Sequence, residues 1–117
     1  MVSKRLMLAR EAIRAFNDGW LNTISGMSAA DVIYIDDESG ITALGPDDFK
    51  RVAANMRRAL PGALTAPTYE ERGDVVEVRS LIDGTDKQFV EVIEFDTDDL
   101  IVKVTAHYGD LSVSKTA

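Results

Sequence analysis

At 117 residues the chain has the length of one domain, long enough to bury about two thirds of its unfolded surface around a single core, so residues 1–117 read as a single domain. Its formal charge of −7, from 20 acidic and 13 basic residues, repels phosphate backbones and anionic headgroups, and neither nucleic acid nor a membrane surface is expected as a partner. The absence of cysteine excludes disulfides, zinc thiolates and thiol nucleophiles, and the single histidine, His107, cannot build a multi-histidine metal centre.

In chain order, Leu6, Ala9, Ile13 and Phe16 recur at steps of three and four, with Ser3 as N-cap and Gly19 beyond the last turn. That spacing predicts an amphipathic helix over 3–17. Charges interrupt its apolar positions, and no run of the chain approaches the ~18 apolar residues of a membrane span or forms a signal-type block. The expected location is the cytoplasm. Trp20, Leu21, Ile24 and Met27 predict a second, short helix. The β-branched and aromatic DVIYIDD (31–37) reads as a strand, turning through Glu38-Ser39-Gly40 into the short extended ITAL. Gly45-Pro46-Asp47-Asp48 opens a further helix, because a proline there loses no hydrogen bond and the helix dipole favours acids in the first turn. Phe49, Val52, Ala53, Met56 and Leu60 form its stripe, and Pro61-Gly62 ends it. Turn signals at Gly73-Asp74, Asp83-Gly84 and 96–99 then divide the remainder into four strands.

Two helices, a strand pair, a helix and four hairpin-linked strands predict an α+β domain in which one curved antiparallel sheet wraps the helices. Its fifth strand contains FVEVIEF (89–95), with apolar residues at five of seven positions and Glu91 at the centre. Such a glutamate points to water, pairs with a cation, or sits in a cavity for a chemical reason. Residues opposite each other in an antiparallel pair share a face. A symmetric turn at 83–86 sets Glu91 opposite Val78, Phe89 opposite Ser80 and Ile93 opposite Val76. A symmetric turn at 96–99 sets Glu91 opposite Val104, Phe89 opposite Ala106 and Ile93 opposite Val102. The other face carries Glu77, Arg79, Glu94, Lys103, Thr105 and His107 beside Val90 and Val92. The charged face is the outer one, so Glu91 is expected to point inward.

The segments FNDGWLNTISGMSAADVIYIDD and VEVIEFDTDDLIVKVTAHYG, with the order of elements from about Leu6 to Gly109, resemble the nuclear-transport-factor-2-like superfamily in its ketosteroid-isomerase and SnoaL-like branch. The resemblance implies a cone-shaped α+β fold with a closed apolar pocket for a small apolar ligand, homodimerising through the outer face of the sheet. It implies isomerase or cyclase chemistry on a steroid- or polyketide-like carbonyl compound without a cofactor. Asp36 matches the family's general base, and Glu91 its neutral pocket acid, which donates a hydrogen bond to the substrate oxygen. The family's two pocket tyrosines fall at Ala12 and Ala53. Tyr34 and Tyr108 are the hydroxyls that could stand in for them. Epoxide hydrolysis, also found in the superfamily, fits less well, since it needs an inward arginine and Arg79 points outward.

Other readings stay open from the residues alone. Asp36 could be a turn residue, and Glu91 could belong to a buried ion pair with an arginine. The domain could also be a non-catalytic ligand-binding or dimerisation module. The pocket is expected to be lined by Phe16, Trp20, Tyr34, Met56, Val78, Phe89, Val104 and Tyr108. His107 is read as a surface or interface residue. Asp96, Asp98 and Asp99 form a solvated turn, because a helical calcium loop would also need a glycine and a distal glutamate; no metal site is expected.

Overall fold

A computed structural model of the chain describes residues 3–37, 40 and 42–110; Glu38, Ser39 and Ile41 of the expected first turn and second strand lie outside the described residues. Helix α1 spans Lys4–Asp18, and the Ser3 side chain caps it by accepting a hydrogen bond from the Leu6 amide at 3.1 Å. Gly19 ends it in the left-handed region, at φ 77°, where a glycine is unstrained. The short α2 (Leu21–Gly26), strand β1 (Ser28–Asp36), strand β2 (Thr42–Leu44) and α3 (Pro46–Ala59) follow. Four strands complete the chain: β3 (Leu64–Arg72), β4 (Val75–Ile82), β5 (Lys87–Phe95) and β6 (Ile101–Asp110).

The strands form one sheet in the order β2-β1-β6-β5-β4-β3. The expectation of a wholly antiparallel sheet is corrected at one seam, where β1 and β6 run parallel, with Tyr34 opposite Val104 and Asp36 opposite Ala106. Hairpins dictate direction only between strands adjacent in sequence. Almost the whole domain connects β1 to β6, which leaves room for the crossover that a parallel pair needs.

Between β4 and β5 the register matches the expectation: Val78 faces Glu91, Ser80 faces Phe89 and Val76 faces Ile93. Between β5 and β6 it is shifted by two residues, setting Glu91 opposite Ala106, Phe89 opposite Tyr108 and Ile93 opposite Val104. A shift of two preserves which face each side chain takes. One residue of the shift comes from the connection, which runs over 96–100 between Phe95 and its partner Ile101, and the other from an irregularity beyond Glu94, where Val102 is passed over. Ile101 is therefore buried in the core and Val102, expected inside, is only half-buried.

The inner face of the sheet packs on α1 and α3 through Ala9, Ile13, Phe16, Phe49 and Val52, against Val76, Val78, Phe89, Ile93 and Val104. Directional bonds pin α1 to the sheet at both ends. Near its start, Arg5 reaches Asp99 at 2.9 Å, Asp74 at 2.8 Å and the Asp96 carbonyl at 2.9 Å. At its end, the Asn17 amide pairs with the Leu64 backbone in both directions, at 2.8 and 2.9 Å. Arg57 of α3 donates to the Phe16 and Asn17 carbonyls, satisfying acceptors that a helix end leaves open. No helix is long and apolar enough to cross a membrane among the described residues.

Candidate functional site

The registers place side chains in rows across the inner face. One row runs Asp36, Ala106, Glu91, Val78, Tyr69, and its neighbour runs Tyr34, Val104, Ile93, Val76. The two carboxylates thus sit in one row with only the methyl group of Ala106 between them, their Cα atoms two strand spacings apart, roughly 10 Å. Each strand brings its residue by simple alternation. Asp36 lies two positions beyond the buried Tyr34 on β1, and Glu91 two positions from both Phe89 and Ile93 on β5.

A small internal pocket opens beside this row. Ala12 and Phe16 of α1, Ile24 of α2, Tyr34 of β1, Phe49 and Ala53 of α3, and Glu91, Ile93, Ile101 and Val104 of the sheet line it. Its free volume is about 20 Å³, room for about one water molecule. Tyr34 and Phe49 stack with ring centroids 5.3 Å apart. Glu91 is the pocket's one ionisable acid.

Glu91 keeps some accessible surface, yet protein encloses its carboxyl, and the two facts agree because the surface left to it belongs to the pocket. Burial raises its pKa from the ordinary 4.5 to about 7. Among the described residues no hydrogen bond or ion pair reaches this carboxyl. The arginine on the adjoining strand, Arg79, binds Glu77 at 2.9 Å on the outer face, so among the described residues the buried ion-pair reading has no cation to form it. The Tyr34 hydroxyl is pushed up, first by burial and then by the charges of Glu91 and Asp36. It remains a neutral phenol within electrostatic reach of both carboxylates.

Asp36 is half-buried at the inner end of β1 and lies outside the pocket lining, one row along from Tyr34. Phe16, Tyr34 and Val104 line the pocket. Val78 and Phe89 are buried in the core beside it, with Phe89 stacked on Phe16 at 6.3 Å, and Met56 and Tyr108 pack against that core. Trp20 stands apart: it is 50% exposed, with the Arg14 guanidinium 5.8 Å from its ring centroid. The short α2 turns Ile24 inward where the sequence suggested Trp20, because Trp20 occupies the helix's N-cap and precedes its first turn. Ile24, Phe49, Ile93 and Ile101 line the pocket without having been singled out; Phe49 carried a signal, its place on the α3 stripe. Ala12 and Ala53, where the family resemblance would place tyrosines, both line the pocket, so neither position supplies a hydroxyl. Among the described residues no group of three or more metal-ligating side chains stands close enough to hold an ion.

No family model matches the sequence, and no curated protein matches it. Solved structures do match the fold. A SnoaL-like protein of unknown function from Burkholderia thailandensis superposes with a TM-score of 0.76 at 20% identity, covering 93% of this chain and 99% of that one. A protein from Agrobacterium tumefaciens, described as a candidate isomerase of the SnoaL-like family, gives 0.72 at 18% identity, covering 89% and 96%. A protein with a ketosteroid isomerase-like fold from Catenulispora acidiphila, solved with trimethylamine, gives 0.69 at 18%, covering 87% and 85%. The chain has the nuclear-transport-factor-2-like fold of these SnoaL-like and ketosteroid isomerase-like proteins.

Proposed function

We propose that the protein is an isomerase- or cyclase-type enzyme that acts on a small apolar carbonyl compound by moving a proton beside the carbonyl. The observation that carries this reading is the row Asp36, Ala106, Glu91, which sets an enclosed acid without a partner among the described residues at a pocket, and a second carboxylate two strands away across β6. Asp36 takes the proton from the carbon next to the carbonyl. The electron pair moves to the carbonyl oxygen, and Glu91, protonated below about pH 7, donates a hydrogen bond to that oxygen as charge develops. Asp36 then returns the proton to carbon. Tyr34 is the hydroxyl within reach of both groups and supports the same oxygen in place of the tyrosines absent at Ala12 and Ala53. Substrate must widen the pocket beyond its 20 Å³. The wall suited to this is α2, a six-residue helix whose N-cap makes no side-chain bond. The assembly belonging to this reading is a homodimer through the outer face around Val90 and Val92. A monomer by light scattering at high micromolar concentration would remove that element.

The test is hydrogen exchange into a cyclic β,γ-unsaturated ketone in D₂O, followed by NMR. The wild type is expected to accelerate exchange at the carbon next to the carbonyl, and Asp36→Asn to lose that acceleration. No exchange above buffer would end the enzymatic reading.

A second reading is favoured by one observation. Phe16, Tyr34 and Phe49 surround a carboxyl that no cation partners, which is the chemistry that holds an alkylammonium ion, and the Catenulispora neighbour was solved with trimethylamine. The two readings separate by pH. Ammonium binding needs ionised Glu91 and strengthens above about pH 7, whereas donation to an oxygen needs the protonated form and weakens there.

A further inference from the structure

A second concavity lies away from the interior pocket. It is an open groove of about 710 Å³ between α1 and the edge strand β3, in the size range of small-molecule sites. On α1, Arg10 and Arg14 point to the groove while Ala12 and Phe16 point to the pocket. At about 100° per residue, these pairs lie on opposite sides of the helix, so α1 separates the two spaces.

The charges in the groove are unusual for this chain. Of its eight arginines, six are committed to protein oxygens: Arg5 to Asp74 and Asp99, Arg51 to Asp48, Arg57 to backbone carbonyls, Arg58 to Asn55, Arg72 to Glu70 and Glu77, Arg79 to Glu77. The two others are Arg10 and Arg14. Among the described residues neither has a carboxylate within ion-pair distance, and Arg14 rests over Trp20. They stand one turn apart, where like charges repel, in a protein with an excess of seven negative charges. Opposite them, Leu64, Pro67 and Tyr69 of β3 offer an apolar and aromatic wall. Pairing of β3 to β4 lapses between Thr65 and Thr68, which forms the groove's far side. Glu11 and Asp18 also reach the groove, and their charge disfavours a dianion more than a monoanion.

We propose that this groove binds a small organic monocarboxylate, its carboxylate held by the guanidinium groups of Arg10 and Arg14 and its apolar body lying along Leu64, Pro67 and Tyr69. The planar guanidinium fork matches a carboxylate in geometry as well as in charge. A ligand here supplies the carboxylate that, among the described residues, the fold does not bring to these two arginines. The site is separate from the Asp36 and Glu91 chemistry and stands or falls without it.

Trp20 makes the test direct. It is the only tryptophan, half exposed beneath Arg14, and a carboxylate that draws Arg14 into the groove changes the surroundings of its indole. Fluorescence titration with 4-phenylbutyrate is expected to saturate with a dissociation constant of about 1 mM, typical of a ligand this small. 4-Phenylbutanol and 4-phenylbutylamine, which share the body but not the charge, are expected to bind at least about tenfold more weakly, and added salt to weaken the carboxylate alone. Arg10→Gln/Arg14→Gln, read by chemical shifts of Leu64 and Tyr69 so that the signal does not depend on Arg14, is expected to lose about tenfold or more in affinity. Glu91→Gln is expected to bind as the wild type does. Equal binding of the alcohol, unchanged affinity in the double variant, or no saturable response to the carboxylate would each overturn the proposal.

Discussion

The interior pocket and the α1–β3 groove lie on opposite sides of one helix, and each presents ionisable groups that have no ion-pair partner among the described residues. In the pocket the group is a carboxyl, Glu91, enclosed by apolar side chains and driven toward its neutral form, with its pKa near 7. In the groove the groups are two guanidiniums on an open surface, where water solvates them and they stay charged. Burial decides the difference. An unpaired ionisable group inside a protein gives up its charge, while the same lack of a partner at the surface costs little and leaves a field that a ligand can use.

The largest expected effect sharpens this contrast through stability. Because the pKa of Glu91 is higher folded than unfolded, the folded state holds the extra proton, and the stabilisation present below pH 4.5 is lost as pH rises to about 7. The wild type should lose about 3 kcal/mol across that window from this group, while Glu91→Gln shows no such step. Urea unfolding at several pH values reads it, and parallel curves for the two proteins would mean that Glu91 titrates as a surface acid.

Nearly as large, Asp36→Asn should reduce exchange in the ketone assay by ~100-fold, the usual contribution of a general base. Retention of activity within a few-fold would leave Glu91 as an acid without a base. Smaller again is Asn17→Ala. It removes both bonds between α1 and Leu64, whose amide and carbonyl are then left to find other partners, at an expected cost of about 2 kcal/mol. Since α1 is the wall between the two spaces, this variant should also weaken carboxylate binding in the groove; a change in stability without that weakening would show that α1 keeps its position unaided. The smallest effect is Arg10→Gln, expected to alter stability by less than about 0.5 kcal/mol, because it relieves a repulsion between exposed neighbours and breaks no pair. A loss of several kcal/mol would mean that Arg10 is a structural residue and not an unpaired one.

Much of this was legible in the residues. Ser3 and Gly19 mark the ends of α1 because caps act through bonds within a few positions. The inward aim of Glu91 followed from strand alternation and the short turn at 83–86, and it survived a two-residue shift against β6 because the side-chain period is two. Tertiary structure decided whatever depended on contacts distant in sequence. The parallel seam between β1 and β6 joins ends of the domain that no hairpin connects. The passed-over Val102, which puts Ile101 in the pocket wall, arises where β5 and β6 meet irregularly. Trp20 lies outside and Ile24 inside because of how α2 begins and packs. The groove exists only because α1 and β3 stand apart in space, and no local pattern could show that Arg10 and Arg14 would be the two arginines left unpaired. Short-range geometry is written in the order of side chains; which strand lies beside which, and which charge finds a partner, is settled by the packing of the whole chain.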